Sequence, residues 1–255
     1  MKNYDFQMVN TDTDAIMICK PDQSPWTKEE QQKFLDELNA QFPELITFEH
    51  DGVFESVIVV KAKNYILLPE GETEVELKGS SIKDQKKEPA MLEMMKKIIN
   101  EMVYENQIEV IRDIYTSYIK EALNVQDISR WSQKKTVTEA ITNCEKNPGR
   151  KQEQDVWEAV KNDNYQQGDK VFVYPTILGK NIVTGRISEK TGKPLKNKEE
   201  TITGLKQVKD WKKDHNIEHL LKRCYATLKI FQNVLDMNTF IDYSKKSNKK
   251  FLEEI

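Results

Sequence analysis

The chain has 255 residues, a formal charge of −3, 32% charged side chains and 38% hydrophobic ones, enough apolar material for one large domain or two small ones. That balance excludes a global positive field, so any nucleic-acid surface has to come from local clusters of Lys and Arg. The longest apolar runs, such as AIMIC and SVIVV, are far shorter than the ~20 residues that span a bilayer, the start MKNYDFQ lacks a signal-peptide core, and Cys19, Cys144 and Cys224 lie far apart with no CxxC; the expectation is a soluble cytoplasmic protein with ordinary thiols and no membrane partner.

Tyr4, Phe6 and Met8 alternate with Asp5 and Gln7, the period of a half-buried strand, and Ala15 to Cys19 is a short apolar run. Together they predict a hairpin with NTDTD at its tip. Thr27 and Glu30 have capping-box spacing, and Phe34, Leu35, Leu38 and Phe42 share one helical face, so a helix comes next and packs on the sheet. Between Ile46 and Leu77 the segments ITFEH, ESVIVVKA, NYILLP and TEVEL are separated by Asp51-Gly52, Lys63-Asn64 and Glu70-Gly71, which predicts three or four strands and the order β-β-α-β-β-β.

Near Pro89 the period changes. Met91, Leu92, Met95, Ile98, Ile99 and Met102 repeat at helical spacing, as do Ile108, Ile111, Ile114, Tyr115 and Tyr118. Further helices are predicted from Val137 to Cys144, around Gln154 to Val160 and, at the end, from Ile217 to Leu235, with one short strand, KVFVYP. The stretch GRISEKTGKPLKNKEETITG is lysine-rich and holds three of the nine glycines, the composition of a mobile solvated loop. The predicted class is α+β: an antiparallel sheet with a packed helix over residues 1–88, then a mostly α-helical region over 89–255.

Asp12 and Asp14 stand two apart. On an extended strand both side chains point to one face, where magnesium binds through one or two carboxylates and substrate phosphates; a pair of such ions clamps the attacking and leaving oxygens of phosphoryl transfer. Turn chemistry accounts for the same residues, because Asn10, Thr11, Asp12 and Thr13 are side chains that bond their own backbone at hairpin tips. The pair alone does not choose between them.

The order of motifs does choose, because it resembles the family B DNA polymerases from their third polymerase motif onward. NTDTDA stands where the family has Tyr-x-Asp-Thr-Asp-Ser. KAKNY, Lys61 to Tyr65, stands at its Lys-Lys-Arg-Tyr element, LKGSSIKDQKKEP is similar to the segment linking palm to thumb, and QQGDKVFVYP is similar to a Gly-Asp-Arg-Val strand of the thumb. Three positions depart from the pattern: Asn10 replaces a tyrosine, Ala15 a serine and Asn64 a basic residue.

The resemblance implies that residues 1–88 are the C-terminal part of a palm and 89–255 a thumb. It implies a two-magnesium site bridged directly by Asp14, with Asp12 supporting it at longer distance. Lys63 and Tyr65 would stand behind the primer terminus, the lysine reaching minor-groove acceptors that all correct pairs share; the competing use of Lys61 and Lys63 is a solvated edge-strand face that blocks aggregation. Lys78, Gly79 and Lys83 would contact primer-strand phosphates, Gly79 by letting backbone amides approach closely, with Lys86 and Lys87 adding to them or lying in a solvated loop.

In SRWSQKKT, Arg130, Lys134 and Lys135 would grip the duplex, and Trp131 is expected as a core anchor, since duplex DNA offers no splayed base to stack on. His215 and His219 have i, i+4 spacing without a third ligand, a poor zinc site. The tail SNKKFLEEI fits a sliding-clamp tether less well than a frayed terminus.

The chain starts only a few residues before the hairpin. The family's first polymerase motif, which supplies the opposing metal ligand, its fingers helix and its exonuclease all lie outside the sequence. The expectation is therefore the C-terminal piece of a phage-like polymerase in the cytoplasm of an infected bacterium: one half of a split enzyme or, equally, a truncated gene product or a chain with a wrongly assigned start. Its partners would be primer–template DNA, deoxynucleoside triphosphates, an N-terminal polymerase chain and a sliding clamp. The competing expectation is a non-catalytic DNA-gripping or clamp-docking relic.

Overall fold

The computed structural model describes residues 6–83, 87–104, 107–147, 149–184, 193 and 198–253. They form two compact units: the described residues up to Lys83 together with Ile230–Asp236, and those from Lys87 to Lys229 together with Met237 onward. The class is α+β, as predicted.

In the first unit, β1 (Gln7–Asp12) and β2 (Ala15–Cys19) form an antiparallel hairpin closed by a two-residue turn, Thr13-Asp14. Tyr4 and Asp5, counted in the predicted strand, lie outside the described residues. Helix α1 (Lys28–Asn39) starts at a complete capping box: Thr27 Oγ1 accepts from the Glu30 amide at 3.2 Å and the Glu30 carboxylate accepts from the Thr27 amide at 2.8 Å. Lys20 holds the same carboxylate at 2.8 Å, and the helix buries Phe34 and Leu38.

The segment ITFEH does not become a strand. Asn39 explains why: its side chain accepts from the Phe48 amide at 2.7 Å and donates to the Phe48 carbonyl at 2.9 Å, satisfying both groups that a neighbouring strand would have paired. The sheet that does form is β3 (Phe54–Lys61), β4 (Asn64–Pro69) and β5 (Glu76–Lys78), antiparallel in that order, with Val60, Ile66, Leu67 and Leu68 buried. A single turn of helix, α2 (Ser80–Lys83), comes next and buries Ile82. The order β-β-α-β-β-β therefore stands, with TEVEL reduced to a three-residue strand.

The second unit opens with α3 (Pro89–Tyr104) and α4 (Ile108–Leu123), whose apolar faces bury Met91, Met95, Ile98, Ile111 and Tyr115. After them come β6 (Gln133–Thr136), α5 (Glu139–Thr142), α6 (Lys151–Val160), β7 (Lys170–Val183), β8 (Lys198–Gln207) and α7 (Ile217–Leu228), which packs on α3 and α4. The helix predicted from Val137 to Cys144 is shorter, because Val137 is still tied to the strand region through the Asp169 carbonyl and Thr138 caps the single turn of α5.

KVFVYP is only the first part of β7. The solvated-loop expectation fails for 198–204, which pair as β8 along β7 from Val183↔Lys198 to Thr176↔Gly204; the β-branched run Thr201, Ile202, Thr203 suits a strand. The rest of that stretch, apart from Lys193, lies outside the described residues. Helix α7 ends at Leu228 in a 3-10 turn, earlier than predicted, and residues 230–236 belong to the first unit.

One buried carboxylate holds the second unit's elements together. Glu88, 2% exposed, precedes α3 and accepts from Arg223 of α7 through Nε at 2.9 Å and Nη2 at 2.8 Å, and from Gln133 of β6 at 2.8 Å. Burial alone would push its carboxyl up, but the Arg223 hydrogen bonds and charge bring it below the usual value. This pairing contributes stability that is complete above about pH 4.5 and lost as pH falls through the lowered value. Replacing Arg223 by Met is expected to cost about 3–5 kcal/mol at neutral pH, because the carboxylate stays buried without its countercharge, held by Gln133. It also reverses the sign: burial then raises the Glu88 value, so acidification should stabilise the variant where it weakens the wild type. Urea unfolding at pH 7 and pH 5 reads the cost and the variant's change of sign, and a third series at about pH 3.5 reads the weakening of the wild type.

Candidate active site

The hairpin tip carries the first residues of interest. The two-residue turn forces Thr13 to φ +56°, a left-handed backbone that a β-branched residue rarely adopts and that costs about 1–3 kcal/mol. Asp12 ends β1, and Asp14 lies in the turn. The two carboxylates therefore do not share a strand face as predicted: Asp14 is exposed at the tip, while Asp12 is half-buried beside it. Asp12 Oδ1 accepts from Thr13 Oγ1 at 3.3 Å and lies 3.5 Å from the Lys63 ammonium. That ion pair brings the hairpin tip and the KAKNY turn together.

Lys63 gets there because of a bulge. The β3–β4 ladder runs Val59↔Tyr65 and then Lys61↔Asn64, skipping Val60, whose carbonyl accepts from Asn233 Nδ2 at 3.0 Å instead. The turn after it places Lys63 at φ +58°. Asn64 secures it: this buried side chain donates to the Ala62 carbonyl at 3.0 Å and accepts from the Ser81 amide at 2.9 Å. Gly79 lies against the same turn at φ +102°, where a Cβ would stand 2.1 Å from the Lys63 carbonyl and 2.5 Å from Asn64 Oδ1. Glycine is required here by the crossing of two loops, a reason independent of any phosphate.

The other motif residues cluster around this crossing. Tyr65, half-buried on β4, is the cross-strand neighbour of Lys78 on β5. Lys78 pairs with Glu76 at 3.1 Å, and the hydrogen bond to that carboxylate holds the ammonium value above its usual level. Lys83 is exposed at the end of α2. Asp12, Lys63, Tyr65, Lys78 and Gly79, read from three separate motifs, thus belong to one neighbourhood of the first unit.

The model of DNA polymerase family B matches residues 1–191. This chain belongs to that family. Among solved structures it is similar to a family B DNA polymerase from the hyperthermophilic archaeon Pyrobaculum calidifontis, at 13% identity and a TM-score of 0.56; the match covers 92% of this chain and 27% of that one. A likeness at that identity is one of fold, and the chain spans about a quarter of the archaeal polymerase's length. No curated protein matches.

Family B polymerases imply magnesium. Among the described residues there is no group of three or more His, Cys, Asp or Glu that would hold a metal unaided. Asp12 and Asp14 fit the lesser demand of magnesium, which takes one or two carboxylates and fills the rest of its shell with water and phosphate oxygens.

In the second unit, Trp131 is 1% exposed and donates to Glu121 at 3.1 Å, a core anchor as expected. Arg130 has both arms engaged, with Glu93 at 2.6 Å and Glu121 at 3.3 Å. Lys134 is exposed on β6, and Lys135 beside it is half-buried. His215 precedes the α7 cap, Asn216, and its Nδ1 accepts from Trp211 at 3.2 Å, so the pair with His219 lacks the helical geometry that zinc would need. Lys86 lies outside the described residues and Lys87 is half-buried. The tail is a 3-10 segment through Glu253, secured where Asn248 donates to the Asp242 carbonyl at 3.0 Å, and so is more ordered than a frayed end.

The residue that sequence reasoning undervalues is Asn64. By sequence it is a departure from a basic position, yet a short amide can donate and accept at once, which two crossing turns require and a lysine or arginine cannot do. Gly79→Ala should destabilise the chain by about 2 kcal/mol or more, since it adds a clash to a positive φ. Asn64→Ala should do so by about 1–3 kcal/mol, since it leaves the Ser81 amide without its acceptor. Thermal unfolding of the two variants and their double measures this, and the double should cost less than the sum because both act on one contact.

Proposed function

We propose that this chain is the C-terminal palm and thumb portion of a DNA-directed DNA polymerase and takes part in template-directed nucleotidyl transfer on primer–template DNA. The observation that carries the reading is the convergence of three separated motifs on the Asp12–Lys63–Gly79 neighbourhood in a chain of family B. Asp14, exposed at the tip, would be the direct metal ligand, with Asp12 behind it. Magnesium, when bound, supplies the positive charge that activates a 3′-hydroxyl and neutralises a leaving pyrophosphate.

The chain's own residues hold the DNA. Lys63 and Tyr65 face the primer terminus, where a lysine reaching the minor groove finds its acceptors displaced by a mispair. Lys78 and Lys83 neutralise primer phosphates without reading sequence, and Gly79 keeps their loop close to the turn. Arg130 and Lys134 grip the duplex further along, Arg130 after exchanging its carboxylates for phosphate.

An N-terminal polymerase chain of a phage-like enzyme is the partner we propose to carry the remaining polymerase motifs, including the lysine that binds the incoming triphosphate. The first unit leaves Met8, Leu45 and Ile46 at least half exposed, Leu45 at 98%, the kind of surface a partner covers. We place its action in the cytoplasm of an infected cell; no helix among the described residues is long and apolar enough to cross a membrane. A sliding clamp meeting the tail completes the set of partners.

Mixing the chain with a polypeptide that carries the first polymerase motif should restore magnesium-dependent primer extension. Asp14→Ala should then lower the rate about a thousandfold, the equivalent of ~4 kcal/mol of lost charge stabilisation. If that variant copies DNA as fast as wild type, the chain is the non-catalytic gripping module instead. Lys63→Ala and Lys78→Ala should each weaken duplex binding and reduce its salt slope by about 0.9.

A further inference from the structure

One oxygen of Asp12 has two partners. Thr13 Oγ1 and the Lys63 ammonium both address Oδ1, at 3.3 Å and 3.5 Å. The Lys63 backbone is fixed by the Asn64 and Gly79 crossing, but its side chain is 75% exposed, so the ammonium can leave the carboxylate with no backbone movement. We propose that the Asp12–Lys63 pair couples divalent-metal binding to duplex binding: an ion taken up by Asp12 displaces Lys63 and releases its ammonium to the DNA, and DNA that captures Lys63 opens Asp12 to the ion.

The inference rests on the proposed function, in which Asp12 supports a metal and Lys63 touches DNA. Its physical basis is charge. A doubly positive ion on the carboxylate replaces attraction with repulsion for an ammonium a few ångströms away. The effect is reciprocal, because two ligands that compete for one internal contact help each other by the same factor. Exposed pairs of this kind shift an equilibrium by a factor of about two to five. The Lys78–Glu76 pair is the internal control: both its members are on β5 and they pair with each other rather than with Asp12, so displacement of Lys63 by an ion leaves their pair in place.

The test is the affinity of the full chain for a fluorescently labelled primer–template duplex at constant ionic strength, with magnesium or with EDTA. Magnesium also screens phosphates, so the quantity read is the ratio of the two affinities in each variant. The wild-type ratio should exceed that of Asp12→Asn by about two- to fivefold, and Asp12→Asn should bind more tightly than wild type in EDTA. Lys63→Ala should remove the difference, whereas Lys78→Ala should weaken binding equally in both conditions. A second readout leaves the hairpin unaltered: manganese titration of the DNA-free chain, followed by electron paramagnetic resonance, should show tighter binding in Lys63→Ala by a similar factor.

Equal ratios in wild type and Asp12→Asn, with manganese affinity unchanged in Lys63→Ala, would overturn the coupling; an ion seated on Oδ2 that leaves Lys63 on Oδ1 gives that result. Weaker duplex binding by Lys63→Ala that is the same with and without metal also overturns the coupling but leaves the DNA contact standing. Unchanged duplex affinity in Lys63→Ala under every condition removes the contact itself, and the proposed reading of the site with it.

Discussion

The geometry of the first unit depends on a crossing of two loops at a distance only glycine allows. The backbone of Gly79 occupies the space where any side chain would meet the Lys63 carbonyl, and Asn64 bridges the two loops with one donated and one accepted hydrogen bond. A left-handed lysine carries a local cost, and such costs persist only where surrounding contacts over-determine the conformation. Here they do: the bulge at Val60 sets the phase of the turn, Asn233 takes up the carbonyl the bulge leaves over, and the sheet below is buried at Ile66 and Leu67.

Ion pairs within the chain accommodate cationic side chains in a protein of negative formal charge. Three of the cations that the motifs nominate are paired with carboxylates of the chain: Lys63 with Asp12, Lys78 with Glu76, Arg130 with Glu93 and Glu121. Exposed pairs of this sort contribute little to stability and are readily exchanged. On the proposed reading, a duplex gripped by such residues would trade one set of anions for another, so affinity would depend on how closely phosphates match the carboxylate positions rather than on a long-range field, consistent with a formal charge of −3.

Much of the chain is legible in its sequence because its strongest signals are local. The capping box at Thr27, the helical repeats that became α3 and α4, and the order of the first six elements all follow from spacing, and the structure has them. Other features are tertiary and leave no periodic trace. Asn39 diverts ITFEH from a strand through bonds to a residue nine positions away, and β8 emerges from a lysine-rich stretch only because β7 offers it a partner. At the site, the residue types are readable from the motifs, but their pairing is not. A shared face for Asp12 and Asp14 requires an extended strand, whereas the turn is so tight that it takes Thr13 and Asp14 for itself.

That tight turn has a consequence for how the site is completed. Among the described residues β1 and β2 pair only with each other, and a two-stranded ribbon is marginally stable by itself. Its tip nevertheless carries the carboxylates, and metal chemistry demands that ligands stay within about 0.5 Å of their working positions. The Lys63 ion pair is one restraint on the tip, but it is exposed and long, too weak to provide that precision. A further strand along the ribbon's edge would supply main-chain hydrogen bonds to β1 or β2 and cover Met8 and Ile16, which are 58% and 37% exposed. On the proposed reading that strand carries the opposing carboxylate, so ordering of the hairpin and completion of the metal site would be one event, with Asp14 gaining its working geometry when the strand is in place.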